Sequence, residues 1–284
     1  NRSYPVLMAS QLWVLGIHVL GAMRSGKTHR FLLPLVIQRI MQRIGPMLII
    51  DLKLDGVLFQ AIRRLAEWLG IKFLYFTNVN EFATYLFNPF LQKNFQTLTI
   101  SQFCEVMVNA LNLWHGFSYG KLHFSAQSVG AFAAAMRMEV TGDGWLSGNR
   151  TVQVETFDEL EERIKRVLKG HPEFGGAYSL VMVIRELANM LQINFASKNS
   201  PFPQSAVDAA INLPDIFVPD SNGNYPILIC SFRTESQMIA SSQLGKLLIH
   251  AVKNARIQMM DQFKLGRAKQ RPPDLALVID EWQM

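Results

Sequence analysis

The stretch GAMRSGKT, residues 21–28, decides the fold. It satisfies the pattern G-x-x-x-x-G-K-[ST], which connects a strand to a helix. Both neighbours have the required character: residues 13–20 form an apolar, strand-like run, and residues 27–44 have the apolar spacing of a helix. The glycines let the backbone approach a phosphate group, and the amides at the helix start point toward it. A chance glycine-rich turn is the alternative interpretation.

The side chains of this motif predict a bound nucleoside triphosphate with Mg²⁺. Lys27 would neutralise charge on the β- and γ-phosphates, and the hydroxyl of Thr28 would be a magnesium ligand. The residues expected to contact the nucleotide are Gly21, Ala22, Met23, Arg24, Ser25, Gly26, Lys27 and Thr28.

A second motif supplies the carboxylates that nucleotide hydrolysis needs. An apolar run at residues 275–279 is followed directly by Asp280 and Glu281. Because the carboxyl ends of parallel strands meet at one edge of a sheet, Asp280 should lie near Thr28 as a second metal ligand. Glu281 could then polarise the attacking water as the catalytic base. The alternative is a strand that ends in two solvated acids.

Strand-like and helical segments alternate along much of the chain, which predicts an α/β fold with a mainly parallel sheet. Further strands are expected at residues 47–50, 72–76 and 226–232, and helices at 58–69 and 238–263. Residues 98–215 read differently, with candidate helices at 101–113, 122–138, 156–168 and 178–192 and turn-rich stretches at 141–150 and 199–204. We therefore expect three parts: the first half of a nucleotide-binding domain at 1–97, a helical insertion at 98–215, and the second half at 216–284.

Composition excludes several classes of protein. With 49% apolar and 18% charged residues among 284, the chain is not disordered. Its two cysteines and six histidines show neither disulfide nor metal-ligand spacing, which favours a reducing compartment. The apolar segment at residues 5–23 is interrupted by polar residues and glycines, so we interpret it as buried strand rather than membrane span. The net charge of +6 permits an anionic partner.

Together the motifs resemble the conjugative type IV secretion coupling ATPases (TraG/TraD-like), within the FtsK/HerA class of P-loop motors. The resemblance rests on these features: Arg24 before Ser25-Gly26-Lys27, Asp51-Leu52-Lys53 after a strand, Asn88-Pro89, the helical insertion, and Val278-Ile279-Asp280-Glu281-Trp282-Gln283. It implies a RecA-like P-loop ATPase with an inserted all-α subdomain. It also implies a hexameric ring that uses ATP and Mg²⁺ to move DNA or nucleoprotein toward a secretion channel.

The same resemblance implies partners and a location. The expected partners are single- or double-stranded DNA, further copies of the chain, and secretion-channel or relaxase proteins. The expected location is the cytoplasm, at the cytoplasmic face of the inner membrane, with membrane contact through segments outside this chain. The chain opens at Asn1 and stops four residues after Asp280, so we expect a fragment of a longer protein. Two other functions stay open: a DNA translocase without a secretion partner, and a nucleotide-binding structural or docking component.

Several charged residues have two interpretations each. Asp51 and Lys53 lie either on the nucleotide edge of the sheet or in a solvated turn. Arg233 is a candidate arginine finger acting across a subunit boundary, and Arg24 is a second candidate for phosphate contact. The basic stretch 264–271 is either a nucleic-acid contact or, as we expect, a solvated linker. The acidic helix from Thr156 is either a docking surface for a partner or, as we expect, a solvated face.

Overall fold

The computed structural model describes residues 26–95, 98, 100–111, 121–137, 154–196, 200–233 and 238–280. The predicted strand at 13–20, the turn-rich stretch 141–150, the first five residues of the loop motif and Glu281 lie outside these described residues. The structural expectations for them stay predictions.

A four-stranded parallel sheet forms the centre of the described structure. Its strands are β1 (Met47–Asp51), β2 (Phe73–Thr77), β3 (Ile227–Ser231) and β4 (Ala276–Asp280). They lie in the order β2-β3-β1-β4. Every residue of β1 and β3 is buried, as expected for strands covered on both faces. The predicted α/β class with a mainly parallel sheet is confirmed, and the arrangement is consistent with a RecA-like fold.

Alternation of side chains along each strand divides the core into two parts. On one face, Ile49 and Ile229 pack with the helices α1 (Leu33–Gln42) and α2 (Gly56–Leu69). On the other face, Leu48 and Cys230 belong to a larger cluster that includes the long helix α8 (Met238–Lys264). Burial raises the pKa of the Cys230 thiol, which therefore stays protonated as a small apolar group.

The ends of α1 and α2 follow from local chemistry. A π-helical turn, Thr28–Leu32, leads directly into α1, so the predicted helix from residue 27 is one continuous element with a widened first turn. Asp55 caps α2, because its carboxylate accepts hydrogen bonds from the backbone N–H groups of Val57 and Leu58 at 2.9 and 3.1 Å. Gly70, with φ 65°, ends α2 in the left-handed conformation that glycine tolerates.

The described parts of the segment between β2 and β3 contain helices joined by turns and irregular stretches. Its α-helices are α3 (Ile100–Ala110), α4 (Lys121–Arg137), α5 (Phe157–Gly170), α6 (Tyr178–Ala188) and α7 (Gln204–Asp208), with 3₁₀ turns at Pro172–Ala177 and Leu213–Phe217. Helices α3, α4, α5 and α6 share the larger cluster with α8 and one face of the sheet, whereas α7 buries no residue. The division of the chain at residues 97/98 and 215/216 stays a prediction.

The expectation of a solvated acidic face on α5 is wrong in part. Glu161 is only 7% exposed and accepts hydrogen bonds from Arg185 of α6 at 2.8 Å and from Lys165 at 2.9 Å. Burial by itself would raise the pKa of Glu161, but the hydrogen bonds and charges of these two cations outweigh it and lower the pKa. Arg163, 2% exposed, pairs with Glu159. Part of the acidic helix therefore fixes the packing of α5 on α6.

Two helix boundaries also differ from the expectation. Helix α6 ends at Ala188 rather than at residue 192, because the chain continues in tight turns whose N–H groups bond three residues back, such as Ile193 to Met190. Helix α7 begins at Gln204, inside the stretch that its Pro and Ser content marked as a turn. In the described part of the chain, no helix is both long enough and apolar enough to cross a membrane.

Candidate nucleotide-binding site

The two sequence motifs meet at the carboxyl edge of the sheet. The hydroxyl of Thr28, in the first turn of the helical run, donates a 2.9 Å hydrogen bond to Oδ2 of Asp280, the last residue of β4. These residues are 252 positions apart in the sequence. Asp280 is 6% exposed, so its carboxylate has little contact with water other than at this edge.

In the described part of the loop motif, the backbone is left-handed at Gly26, directly before the helical run begins. Gly26 has φ +80°, a left-handed conformation that only glycine adopts without strain, and its carbonyl accepts a hydrogen bond from the Arg30 N–H at 2.8 Å. Lys27 follows as the cap of the helical run. The first amides of this run have no helical partner, and the helix dipole favours an anion there. A phosphate group at the start of this helical run would accept hydrogen bonds from these amides and be stabilised by the helix dipole.

Asp51 is buried beside Asp280, which corrects the solvated-turn interpretation of its carboxylate. The two residues are register partners at the ends of β1 and β4. Asp51 is 1% exposed and accepts hydrogen bonds from the backbone N–H groups of Lys53 at 2.9 Å and Asp55 at 2.7 Å. Burial raises the pKa of Asp51 most strongly, the two backbone hydrogen bonds oppose this, and the neighbouring charges of Asp280 and Asp55 add to it. Lys53 itself is exposed.

Asp51 also shapes the turn that faces the loop helix. Its two backbone hydrogen bonds span residues 53–55, where Leu54 takes the left-handed φ of 57°. Asp55, held by this turn, lies 3.6 Å from Nε2 of His29, the residue next to Thr28. The β1–α2 turn and the start of the loop helix are thus adjacent, with Asp280 between β1 and Thr28.

Two hydrogen bonds fix the backbone of Arg233. Its N–H donates to Oδ1 of Asn78 at 2.9 Å, and its carbonyl accepts from the hydroxyl of Ser241 at 2.8 Å. Asn78 in turn donates to Ser241 at 3.0 Å, and both side chains are buried. Arg233 is exposed, two residues beyond the end of β3 and therefore on the same edge of the sheet as Asp51. Its role as an arginine finger stays a prediction.

The other predicted site residues divide into two groups. Gly21, Ala22, Met23, Arg24, Ser25 and Glu281 lie outside the described residues. Of the charged stretches, residues 264–271 are almost entirely exposed, in agreement with a solvated linker. Across the described residues, no three His, Cys, Asp or Glu side chains form a metal-binding group.

The oxygen donors at the edge fit Mg²⁺. Magnesium in nucleotide sites takes one or two protein oxygen ligands together with phosphate oxygens and water. The hydroxyl of Thr28 and the carboxylate of Asp280 lie within hydrogen-bond distance of each other, so both could bind one ion after small adjustments. The carboxylate of Asp51 already accepts two backbone hydrogen bonds, so we do not assign it as a magnesium ligand.

Sequence reasoning named Asp51 at a strand end but did not predict its burial, and it missed the buried Asn78 and Ser241. A signal for Asn78 exists, because it directly follows β2 and polar residues at strand ends share an edge in a parallel sheet. Ser241 carries no such signal, since it lies on α8 and meets Asn78 only through the packing of that helix.

Comparisons with known proteins show a distant structural likeness. No protein-family model matches the sequence, and no curated protein matches it. Among solved structures, the chain is similar to the bacterial conjugative coupling protein TrwBdeltaN70 in its unbound monoclinic form, with a TM-score of 0.37 and 10% sequence identity. The likeness covers 86% of this chain and 64% of that chain. It is too low to assign a family, so functional conclusions depend on the residues themselves.

Proposed function

We propose that this chain is the nucleotide-hydrolysing part of a P-loop motor that binds ATP with Mg²⁺ at the carboxyl edge of its sheet. The observation that carries the proposal is the 2.9 Å hydrogen bond from Thr28 to Asp280. In this contact Thr28, the expected metal ligand of the loop motif, meets Asp280, the expected metal ligand at the strand end. A chance glycine-rich turn gives no reason for Thr28 to contact Asp280 at the end of β4.

Each residue has a defined task in this proposal. The amides after Gly26 and the ammonium of Lys27 bind and neutralise the β- and γ-phosphates, while Thr28 and Asp280 hold the ion. The bound Mg²⁺ would supply charge neutralisation on the transferred phosphoryl group. Glu281, the residue after Asp280, would accept a proton from the attacking water. Arg233, with its backbone clamped and its side chain exposed, would reach the nucleotide of a neighbouring copy.

The finer proposal is a motor of the conjugative coupling type that moves DNA, or nucleoprotein, toward a type IV secretion channel. Its support is the set of sequence motifs that resemble that family. In this proposal the chain works as a hexamer at the cytoplasmic face of the inner membrane, with secretion-channel or relaxase proteins as partners. The charge surplus of +6 is compatible with binding to a phosphate backbone.

Steady-state phosphate release from ATP tests the enzymatic part of the proposal. Lys27→Ala should abolish turnover and weaken ATP binding, because no other described side chain of the loop carries a charge toward the phosphates. Lys72→Ala is the matched control, since Lys72 is an exposed lysine just before β2, at the opposite edge of the sheet. Equal turnover in wild type and Lys27→Ala would refute the site.

DNA titration tests the motor part. Single- and double-stranded DNA should bind with affinity that falls steeply as salt rises and should raise the ATPase rate of the assembled oligomer. Oligomeric mass is followed in the same samples. A hexamer that hydrolyses ATP but ignores both DNA forms, with no salt-sensitive binding, would leave the nucleotide site intact and reject the DNA motor.

A further inference from the structure

Arg233 lies where the chain leaves the sheet after β3. Register pairing of β3 with its two neighbours ends at Ser231. The next residue, Phe232, is still held, because its N–H donates to the carbonyl of Asp51 at 2.9 Å and its buried ring packs edge-to-face on Phe76. Arg233 is the first exposed residue of this segment. Its position therefore depends on contacts made beyond the ends of the strands.

Two buried side chains supply these contacts and form a closed ring of hydrogen bonds with the Arg233 backbone. Asn78 accepts from the N–H of Arg233 and donates to the hydroxyl of Ser241, which donates in turn to the Arg233 carbonyl. The ring needs an amide, which has both an acceptor and donors, and a hydroxyl, which donates and accepts at one atom. Apolar side chains of similar size cannot replace either group.

The local structure holds both side chains in place before they meet Arg233. Thr77, the last residue of β2, is buried, and its hydroxyl accepts a hydrogen bond from the N–H of Val79 at 3.2 Å, so Asn78 lies within a tight turn. Ser241 is fully buried in the first turn of α8. Three elements, the ends of β2 and β3 and the start of α8, thus converge on one exposed arginine.

This arginine lies on the edge of the sheet that carries the candidate nucleotide site. The strands β3, β1 and β4 are neighbours in that order, so the end of β3 is about 10 Å from the end of β4, where Asp280 contacts Thr28. A guanidinium assists phosphoryl transfer only when it is well placed, since a misplacement of about 1 Å can cost about a hundredfold in rate. A buried network that orders an exposed arginine meets this requirement.

We propose that Asn78 and Ser241 are positioning residues for Arg233, which fix the backbone from which its guanidinium extends toward the nucleotide of a neighbouring copy. The inference rests on the proposed function, in which Arg233 is an arginine finger. Neither Asn78 nor Ser241 contacts the nucleotide in this proposal, and each acts through Arg233 alone. A network that serves only stability would instead affect catalysis equally with and without the Arg233 side chain.

A kinetic double-mutant cycle between Asn78 and Arg233 tests the proposal. Asn78→Leu keeps a branched side chain and removes the hydrogen bonds to Arg233 and Ser241. It should lower kcat for phosphate release by the assembled oligomer at least about tenfold and change KM for ATP less than about twofold, because Arg233 acts in the transition state. In an Arg233→Ala background, measured in single turnover, the same substitution should lower the rate less than about twofold. Ser241→Ala should give the same pattern.

Asn94→Leu is the matched control. Asn94 is also a buried asparagine that bonds to α8, where it donates to Asn254 at 3.2 Å. Asn254 lies about 20 Å further along that helix than Ser241, and so away from the Arg233 network. Urea unfolding should show that both asparagine variants lose stability. Only Asn78→Leu should lower kcat.

Three results would overturn the inference: a folded Asn78→Leu variant with normal kcat, an equal loss of rate with and without the Arg233 side chain, and normal kcat in Arg233→Ala. Where Asn78→Leu does not fold, Ser241→Ala, which removes a single oxygen, completes the same cycle. Failure of the proposed function has a different signature, because the wild-type chain would then release no phosphate, and the inference would fall with it.

Discussion

Thr28→Val tests the contact that joins the two motifs, because valine keeps the shape of threonine and removes the hydroxyl. In the absence of nucleotide and metal, the substitution deletes the hydrogen bond to Asp280 and leaves a carboxylate that is 6% exposed without this donor. A hydrogen bond to a charged group contributes about 1.5 to 3 kcal/mol. Since the pair is only partly buried, we expect a loss of about 2 kcal/mol in the free energy of unfolding.

Urea unfolding followed by circular dichroism, in the presence of EDTA, measures this loss. At 2 to 4 °C for each kcal/mol, the melting temperature should fall by roughly 4 to 8 °C. Thr28→Ser keeps the hydroxyl and is the control, with an expected loss below about 1 kcal/mol. A double-mutant cycle with Asp280→Ala should give a coupling energy of about 1.5 kcal/mol or more. Equal stability of the Val and Ser variants, together with additive effects in the cycle, would refute the contact.

Three further substitutions address the same edge of the sheet. Gly26→Ala should lower the free energy of unfolding, measured with urea, by about 1 to 2 kcal/mol, because φ is +80° at this residue. Gly56→Ala is the control and should be near neutral, because Gly56 has open space around it at the start of α2. Equal effects of the two substitutions would contradict the role of the left-handed backbone. Asp51→Asn should remove a pH dependence of stability. Because the pKa of Asp51 is raised in the folded state, the stability of the wild type falls as pH rises from about 3.9 through that pKa. The unfolding free energy of the wild type minus that of the variant should therefore decline over this range, and a constant difference would contradict the prediction. Glu281→Gln should bind ATP but not hydrolyse it, and normal phosphate release would assign the base to another residue.

The strands and the central contact could be predicted because they depend on local patterns. Residues 47–50 and 226–232 are nearly continuous apolar runs, and the structure buries both strands on both faces. The meeting of Thr28 with Asp280 follows from one rule, that loops and strand ends of a parallel sheet share its carboxyl edge. That rule needs no knowledge of which strands are neighbours.

The burial of Asp51 could not be predicted, because it depends on strand order. β1 lies between β3 and β4, so its last residue is enclosed by Ser231 and Asp280, both distant in sequence. Glu161 is similar: an acid in the first turns of a helix is normally solvated, and only the packing of α6 brings Arg185 to it. Long-range packing, rather than local propensity, determines the burial of both residues.

The magnesium dependence of ATP affinity tests the central claim most directly. In a Glu281→Gln background that prevents turnover, ATP binding is measured by calorimetry with excess Mg²⁺ and again with EDTA. If Thr28 and Asp280 hold the ion of the bound nucleotide, Mg²⁺ should tighten binding at least about tenfold, a change of about 1.4 kcal/mol, and Asp280→Ala should abolish that gain. An equal gain from Mg²⁺ with and without the Asp280 carboxylate would contradict the account.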